Sequence, residues 1–238
     1  MHALHKVLQA FFSPSSARLS LPDVWAGFTV NLKMMFLAEA LVLVFALAIA
    51  IVRGLPGRGA APLRGLAVVY TDLFRGTPLI LVAYLVGFGL PGLQLKVIST
   101  QSNFVYGVLA LTLVYTAYVT EVYRAGIESV HPSQRMAARS LGLSYAQALR
   151  YVIVPQAVRR VIPPLLNDFV GLQKDTALIA VIGVTEAALQ AQNFSNKYYN
   201  FTAYVVAAVF FVFLTIPLAR FTDHLIAVRE QRERAQAL

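Results

Sequence analysis

Five long apolar runs, parted by gaps that hold most of the charge, constrain this chain more than any other feature. They lie at about Val24 to Val52, Leu66 to Leu90, Phe104 to Tyr123, Val161 to Val184 and Phe201 to Phe221. About 20 apolar residues cross a bilayer core about 30 Å thick, because each helical residue rises about 1.5 Å. Each run reaches that length. In hydrocarbon only helices and closed barrels satisfy their own backbone groups, and the runs lack the two-residue alternation of barrel strands. The expected fold class is an all-α membrane protein, a bundle of five transmembrane helices. Composition agrees: the 238 residues are 58% hydrophobic and 13% charged, whereas a soluble domain carries about 25% charged residues. Too few charges remain to cover a globular surface.

The net charge of +9 does not point to nucleic acid, because the basic residues form no patch with interleaved aromatics. They sit between the runs. Arg53, Arg58, Arg64 and Arg75 flank one gap, Arg124, Arg135, Arg139, Arg150, Arg159 and Arg160 fill the long loop, and Arg220, Arg229, Arg232 and Arg234 follow the last run. The other side has Lys96, Lys197, Lys6 and Arg18. The positive-inside rule then places the N-terminus outside and the long loop and C-terminus in the cytoplasm of a cell (inner) membrane. Residues 1–23 read as an extracytoplasmic or interfacial segment, 24–222 as the transmembrane domain with its loop at about 125–160, and 223–238 as a basic tail. The N-terminus lacks the long apolar region and cleavage site of a signal peptide. With no cysteine there is no disulfide and no thiolate metal site, and no metal site is expected.

The long loop carries its own punctuation. Pro132 breaks the chain, Ser133 stands where an N-cap would, Gln134 to Leu141 favour helix, and Gly142 suits a left-handed C-cap. Ser144 and Gln147 have the spacing of a capping box, opening a second helix that runs to Pro155. Ala137 and Ala138 leave the first helix smooth enough for another protein to approach. An amphipathic connector resting on lipid headgroups has the same pattern.

The segment from Ala117 to Glu186 resembles the EAA loop of ABC-transporter permease subunits of the polar amino-acid uptake family. Phe74-Arg75-Gly76-Thr77-Pro78-Leu79 is similar to that family's RGTPL stretch, and Phe88 to Pro91 follows it. Ala117-Tyr118 with Glu121 and Arg124 is similar to its AY-x-x-E-x-x-R signature. Ser140 to Ser144, Val154-Pro155-Gln156-Ala157, Asn167 and Lys174-Asp175-Thr176 continue the match, which covers about Tyr70 to Glu186. One departure stands out: Ser133-Gln134-Arg135-Met136-Ala137-Ala138 has Met136 at the family's usual glutamate and Ser133 at its usual glycine.

The resemblance implies a transmembrane permease subunit of an ATP-binding-cassette importer for a polar amino acid. Its loop becomes a cytoplasmic coupling helix contacting an ATP-binding subunit through Arg135, Met136, Ala137, Ala138, Leu141 and Gly142. The chain has no G-x-x-x-x-G-K-[ST] phosphate loop. It is therefore expected to be non-catalytic and to bind no cofactor, with ATP and Mg on the partner ATPase. Five spans make half a pathway, so a second permease copy or a homologous permease is expected. The resemblance adds an ATP-binding subunit dimer and an extracytoplasmic solute-binding protein.

Charged groups at membrane depth mark a pathway or a pairing. Asp168 and Asp175, seven apart, share a helical face with Gly171 between them, and Asn167, Gly171 and Lys174 follow an adjoining stripe. Such a face could meet the ammonium and carboxylate of an amino acid, with Gly171 leaving room. Equally, Lys174 and Asp175 could neutralise neighbours and Asp168 could pair with an arginine. Thr77 and Pro78 break the second run beside a possible cavity or simply kink it. Lys33 is placed to snorkel, Glu39 to pair with a cation, and Glu121 with Arg124 to form a local structural pair. The main alternative is an ion-coupled secondary amino-acid transporter using Lys174 and Asp175, which predicts an inverted repeat that the sequence lacks. An intramembrane enzyme would need a nucleophile or metal cluster, yet His2, His5, His131 and His224 lie near the termini or in loops.

Overall fold

A computed structural model of the chain describes residues 2–55 and 57–236. Met1, Ala237 and Leu238, at the outer ends of the expected terminal segments, lie outside the described residues, as do the side chains of Arg229, Arg232 and Arg234. The described residues form helices and turns, with no strand among them. In chain order the helices are α1 (His2–Phe11), α2 (Pro14–Arg53), α3 (Ala61–Gly76), α4 (Leu79–Tyr84), α5 (Leu90–Gly92), α6 (Asn103–Glu128), α7 (Pro132–Ser140), α8 (Tyr145–Ala148), α9 (Val154–Asp175), α10 (Ala187–Tyr198) and α11 (Thr202–Gln236). A wide π-type turn joins α4 to α5 and another joins α8 to α9, while 3-10 turns extend α9 to Ile182.

Three helical stretches, Leu4–Arg53, Asn103–Glu128 and Thr202–Val228, are long and apolar enough to cross a membrane. Two bent pairs, Ala61–Gly76 with Leu79–Gly92 and Arg150–Ile182 with Ala187–Tyr198, bring the number to five if each pair is one span. The break at Thr77 and Pro78 is present: Pro78 has ψ 136° and heads α4. The sequence reading did not foresee α10. Its N-cap is Glu186, whose carboxylate accepts from the amides of Ala188 (2.9 Å) and Leu189 (2.8 Å).

The loop differs from expectation in three details. The N-cap of α7 is His131, not Ser133. Proline forces the residue before it into extended backbone, and His131 accordingly has ψ 136° with its ring accepting from the Ser133 amide. Pro155 does not end the second helix. It sits in the first turn of α9, where its missing N–H costs nothing, and the π-type turn over Leu149–Ile153 absorbs the change of hydrogen-bond spacing just before it. Ala138 is buried at 4% exposure, so it faces the protein rather than a partner. The other signals hold. Gly142 has φ +84°, and the Leu143 amide reaches Ala138 O (3.2 Å) while the Gly142 amide reaches Arg139 O (3.0 Å), both bonds of a Schellman turn. Ser144 N donates to Gln147 Oε1 (2.8 Å) and Gln147 N to Ser144 Oγ (3.3 Å), a complete capping box.

The chain divides into two compact units. The first comprises residues 1–40, 77–112 and 170–220 and the second residues 41–76, 113–169 and 221–238. In the first, Val24, Phe28, Ala187, Ala191, Phe194, Ala203 and Ala207 form a buried cluster under Phe210 and Phe211. Small residues on α10 let α2 approach until a Cβ on Gly27 would lie 2.6 Å from the Glu186 carbonyl carbon. In the second, Thr120 donates to Ala46 O (3.4 Å) and the Tyr70 hydroxyl to Leu113 O (2.7 Å), tying α6 to α2 and α3.

Gly27→Ala is therefore expected to lower the melting temperature in detergent, by the equivalent of roughly 1–3 kcal/mol for an overpacked site. Gly65→Ala, with open space around it inside α3, is expected to leave stability unchanged or raise it. Equal melting of the two variants would contradict the close approach of α2 and α10.

Candidate functional site

A cavity of about 700 Å³ opens in the second unit, walled by the end of α3 and by facing stripes of α6 and α9. On α6 the wall is Tyr118, Glu121, Val122, Ala125 and Gly126, positions three and four apart, with Ser129 just past the helix end. On α9 it is Arg160, Pro164 and Asp168, each four residues from the next, and Arg75 closes the third side. Gly126 allows this proximity: a Cβ there would lie 2.1 Å from Val161 Cγ1.

The charges around the cavity divide into two kinds. Glu121 is committed to structure. It pairs with Arg53 from α2 and with Arg124 (2.7 Å), Arg124 reaches on to Glu128, and Arg53 also donates to Thr71 Oγ1 (3.1 Å). This is the structural pair expected for Glu121 and Arg124, extended by two further members. Asp168 differs, because its Oδ2 is buried and has no hydrogen-bond partner. Among the described residues the Arg75 guanidinium has no carboxylate partner, and Arg160 donates to the Ser129 carbonyl. A carboxylate and two guanidiniums without opposite charges of their own thus share one cavity. The buried, unpartnered oxygen of Asp168 is costly to leave without a donor, and with the exposed Arg75 and with Arg160 beside it the arrangement suits a small guest carrying both signs.

Of the expected pathway residues, Asp168 lines this cavity and the others do not. Asn167 is exposed in the same unit. Gly171, Lys174, Asp175 and Thr77 belong to the first unit, with Lys174 exposed and Asp175, Gly171 and Thr77 half-buried. In the loop, Met136 is 62% and Leu141 84% exposed, giving apolar side chains to the surface, while Arg135, Ala137 and Gly142 are also exposed.

Sequence reasoning counted Arg160 only as an orientation signal, and Arg75 as that and as part of the RGTPL resemblance, neither as a pathway residue. The Arg160–Pro164–Asp168 spacing of four was the available clue. It missed a second polar centre altogether. In the first unit Glu186 is wholly buried, and Asn31 Nδ2 from α2 donates to its Oε2 (2.9 Å) and to Thr176 Oγ1 (3.1 Å), while Asn31 Oδ1 accepts from the Ala187 amide (3.0 Å). Buried Gln173 accepts from Thr215 Oγ1 (2.7 Å) close by in sequence to Thr176. No metal-holding cluster accompanies these groups among the described residues, and their hydrogen bonds tie α2 to α10 and α9 to α11.

A family profile described as "Binding-protein-dependent transport system inner membrane component" matches residues 57–228. The chain belongs to that family. Its relatives include the probable glutamine ABC transporter permease protein GlnM of Bacillus subtilis, 38% identical over 66% of this chain and 72% of GlnM. The glutamate transport system permease protein GluC of Corynebacterium glutamicum is 34% identical over 83% of this chain and 90% of its own length. The arginine transport system permease protein ArtQ of Bacillus subtilis is 30% identical over 82% and 88%. Among solved structures, the crystal structure of an amino acid ABC transporter with histidines matches at a TM-score of 0.78 and 33% identity, covering 89% of this chain and 94% of that one. The MetNI methionine ABC transporter, at 17% identity and a TM-score of 0.71 over 91% and 99%, shares the fold. As a member of this inner-membrane transport family with several apolar helices, the chain is a multi-pass membrane protein.

Asn31→Ala should lower stability by about 2–4 kcal/mol, since it removes a donor from a buried carboxylate and an acceptor from a buried amide. Thermal unfolding in detergent measures this, and a melting curve like the parent's would show that the Asn31–Glu186 contact contributes nothing.

Proposed function

We propose that this chain is the membrane-spanning subunit of an ATP-driven importer for a polar amino acid. The observation that carries the reading is the cavity in which Asp168 meets no donor while Arg75 and Arg160 meet no carboxylate. A zwitterion offers an ammonium to the first and a carboxylate to the others, and charge-assisted hydrogen bonds of that kind are the strong ones. The names of the relatives, which are glutamine, glutamate and arginine permeases, support the same substrate class. In this reading Asn167, Gly171, Lys174, Asp175 and Thr77 remain further candidates along the pathway.

Energy comes from elsewhere, because the chain carries no phosphate-binding loop. A dimer of ATP-binding subunits holds ATP and Mg and contacts Arg135, Met136, Ala137, Leu141 and Gly142. The Schellman turn at Gly142 and the capping box at Ser144 fix α7 to α8 and make a short rigid lever, the type of element that transmits a displacement. A second copy or a homologous permease completes the pathway, and an extracytoplasmic solute-binding protein delivers the amino acid. The N-terminus lies outside and the C-terminus in the cytoplasm, on the positive-inside distribution.

Asp168→Asn is expected to reduce uptake by the assembled transporter roughly ten- to a hundredfold, the range for losing one charge-assisted hydrogen bond. Unchanged uptake and unchanged selectivity would remove Asp168 from the pathway. Since the chain has no cysteine, Met136→Cys gives a single labelling site, and cross-linking from it should capture the ATP-binding subunit. Absence of any such product, in a complex that still transports, would refute the docking assignment.

A further inference from the structure

The first unit has a concave surface of its own, lined by none of the residues around Asp168. Its volume is about 330 Å³, and Phe12, Pro14, Ala17 and Leu21 line one side while Val205 and Val209 of α11 line the other. Nearly all of this surface is apolar, and none of the described residues fills it. The approach to it is fixed. Phe201 N donates to Ala10 O (2.8 Å), Asn200 Nδ2 to Gln9 O (2.8 Å) and Ser13 N to Thr202 Oγ1 (3.1 Å), and the Phe11 and Phe201 rings stack at 5.3 Å. These contacts anchor the end of α1 to the turn between α10 and α11. So held, α1 exposes Leu4, Val7, Leu8 and Phe11, positions three and four apart along one face. An apolar helical stripe on a cationic helix is the pattern of a segment lying in a membrane interface.

Charge identifies the occupant. Residues 1–22 contain Lys6 and Arg18 and no carboxylate before the exposed Asp23, and α10 with the turn that follows it contains Lys197 and no carboxylate. Arg18 is exposed, and helical spacing puts it on the same stripe as Pro14 and Leu21, which line the groove. We infer that the groove binds one acyl chain of an anionic phospholipid from the bilayer, with Arg18 meeting its phosphate and Lys6 on α1 as the second cation. A zwitterionic lipid would fill the apolar floor equally well but would bring no net negative charge to Arg18. The α1 stripe continues the apolar surface outward from Phe11, so the remainder of the lipid stays in contact with protein.

The chain supplies its own reporter. Trp25 is its single tryptophan, and its ring lies 5.2 Å from that of Phe210, which also lines the groove. The full chain in phosphatidylcholine nanodiscs containing a small fraction of dibrominated phosphatidylglycerol should show stronger quenching of Trp25 than with the same fraction of dibrominated phosphatidylcholine. Arg18→Gln should cut that excess by about fivefold, the usual weight of one basic residue facing anionic lipid. Val209→Phe, which fills the groove from an exposed position, should abolish the excess without changing the melting temperature. Equal quenching by the two lipids, an excess that survives Arg18→Gln, or an excess that survives Val209→Phe would each overturn the assignment. Absence of quenching by either lipid would mean that protein covers the groove, and would overturn it too.

Discussion

Glu186 is the group around which the first unit is built. It is wholly buried, and a carboxylate removed from water is tolerated only when donors replace the water. Two amides at the start of α10 and one side-chain amide, from Asn31, supply them. Because the donors come from different helices, satisfying one carboxylate fixes α10 against α2. Close packing follows at Gly27, where no Cβ could fit against the Glu186 backbone. The aromatic cluster of Phe28, Phe210 and Phe211 then closes over small residues of α10 and α11. The second unit uses the same principle with ions, for Glu121 is held by two arginines from two helices.

Against these satisfied carboxylates Asp168 is the exception. It sits in an open cavity with one oxygen buried and unpartnered. A protein that spends donors so consistently on Glu186 and Glu121 leaves Asp168 bare where a guest can bring the donor. The guanidiniums of Arg160, on the same stripe of α9, and of Arg75, at the end of α3, meet no carboxylate of their own among the described residues. This contrast between satisfied and unsatisfied charge, more than the cavity itself, supports the proposed passage of a zwitterion.

Much of this was legible in the sequence. Run length and the absence of alternation gave an all-helical membrane chain, and Gly142 and the Ser144–Gln147 spacing gave the turn and cap of the loop. Local signals succeeded where local chemistry decides. They failed at Ser133, where the following-proline rule at His131 outranked hydroxyl preference, and at Pro155, where a change of helical pitch made room for the ring. α10 was missed because its apolar pattern is weak and its cap is a glutamate, whose capping role depends on burial by α2. The same reason hid Asn31. The cavity was half legible: Asp168 stood out as a charge in an apolar run, whereas nothing marked Arg75 or Arg160 as its neighbour until the α6 stripe met α9 across Gly126.

The most direct test of the proposed function is uptake of a labelled polar amino acid into proteoliposomes containing this chain with its ATP-binding subunit and solute-binding protein. The account predicts uptake that requires both ATP and the binding protein and persists when proton and sodium gradients are collapsed. Uptake that proceeds without ATP and stops when those gradients are removed would contradict it.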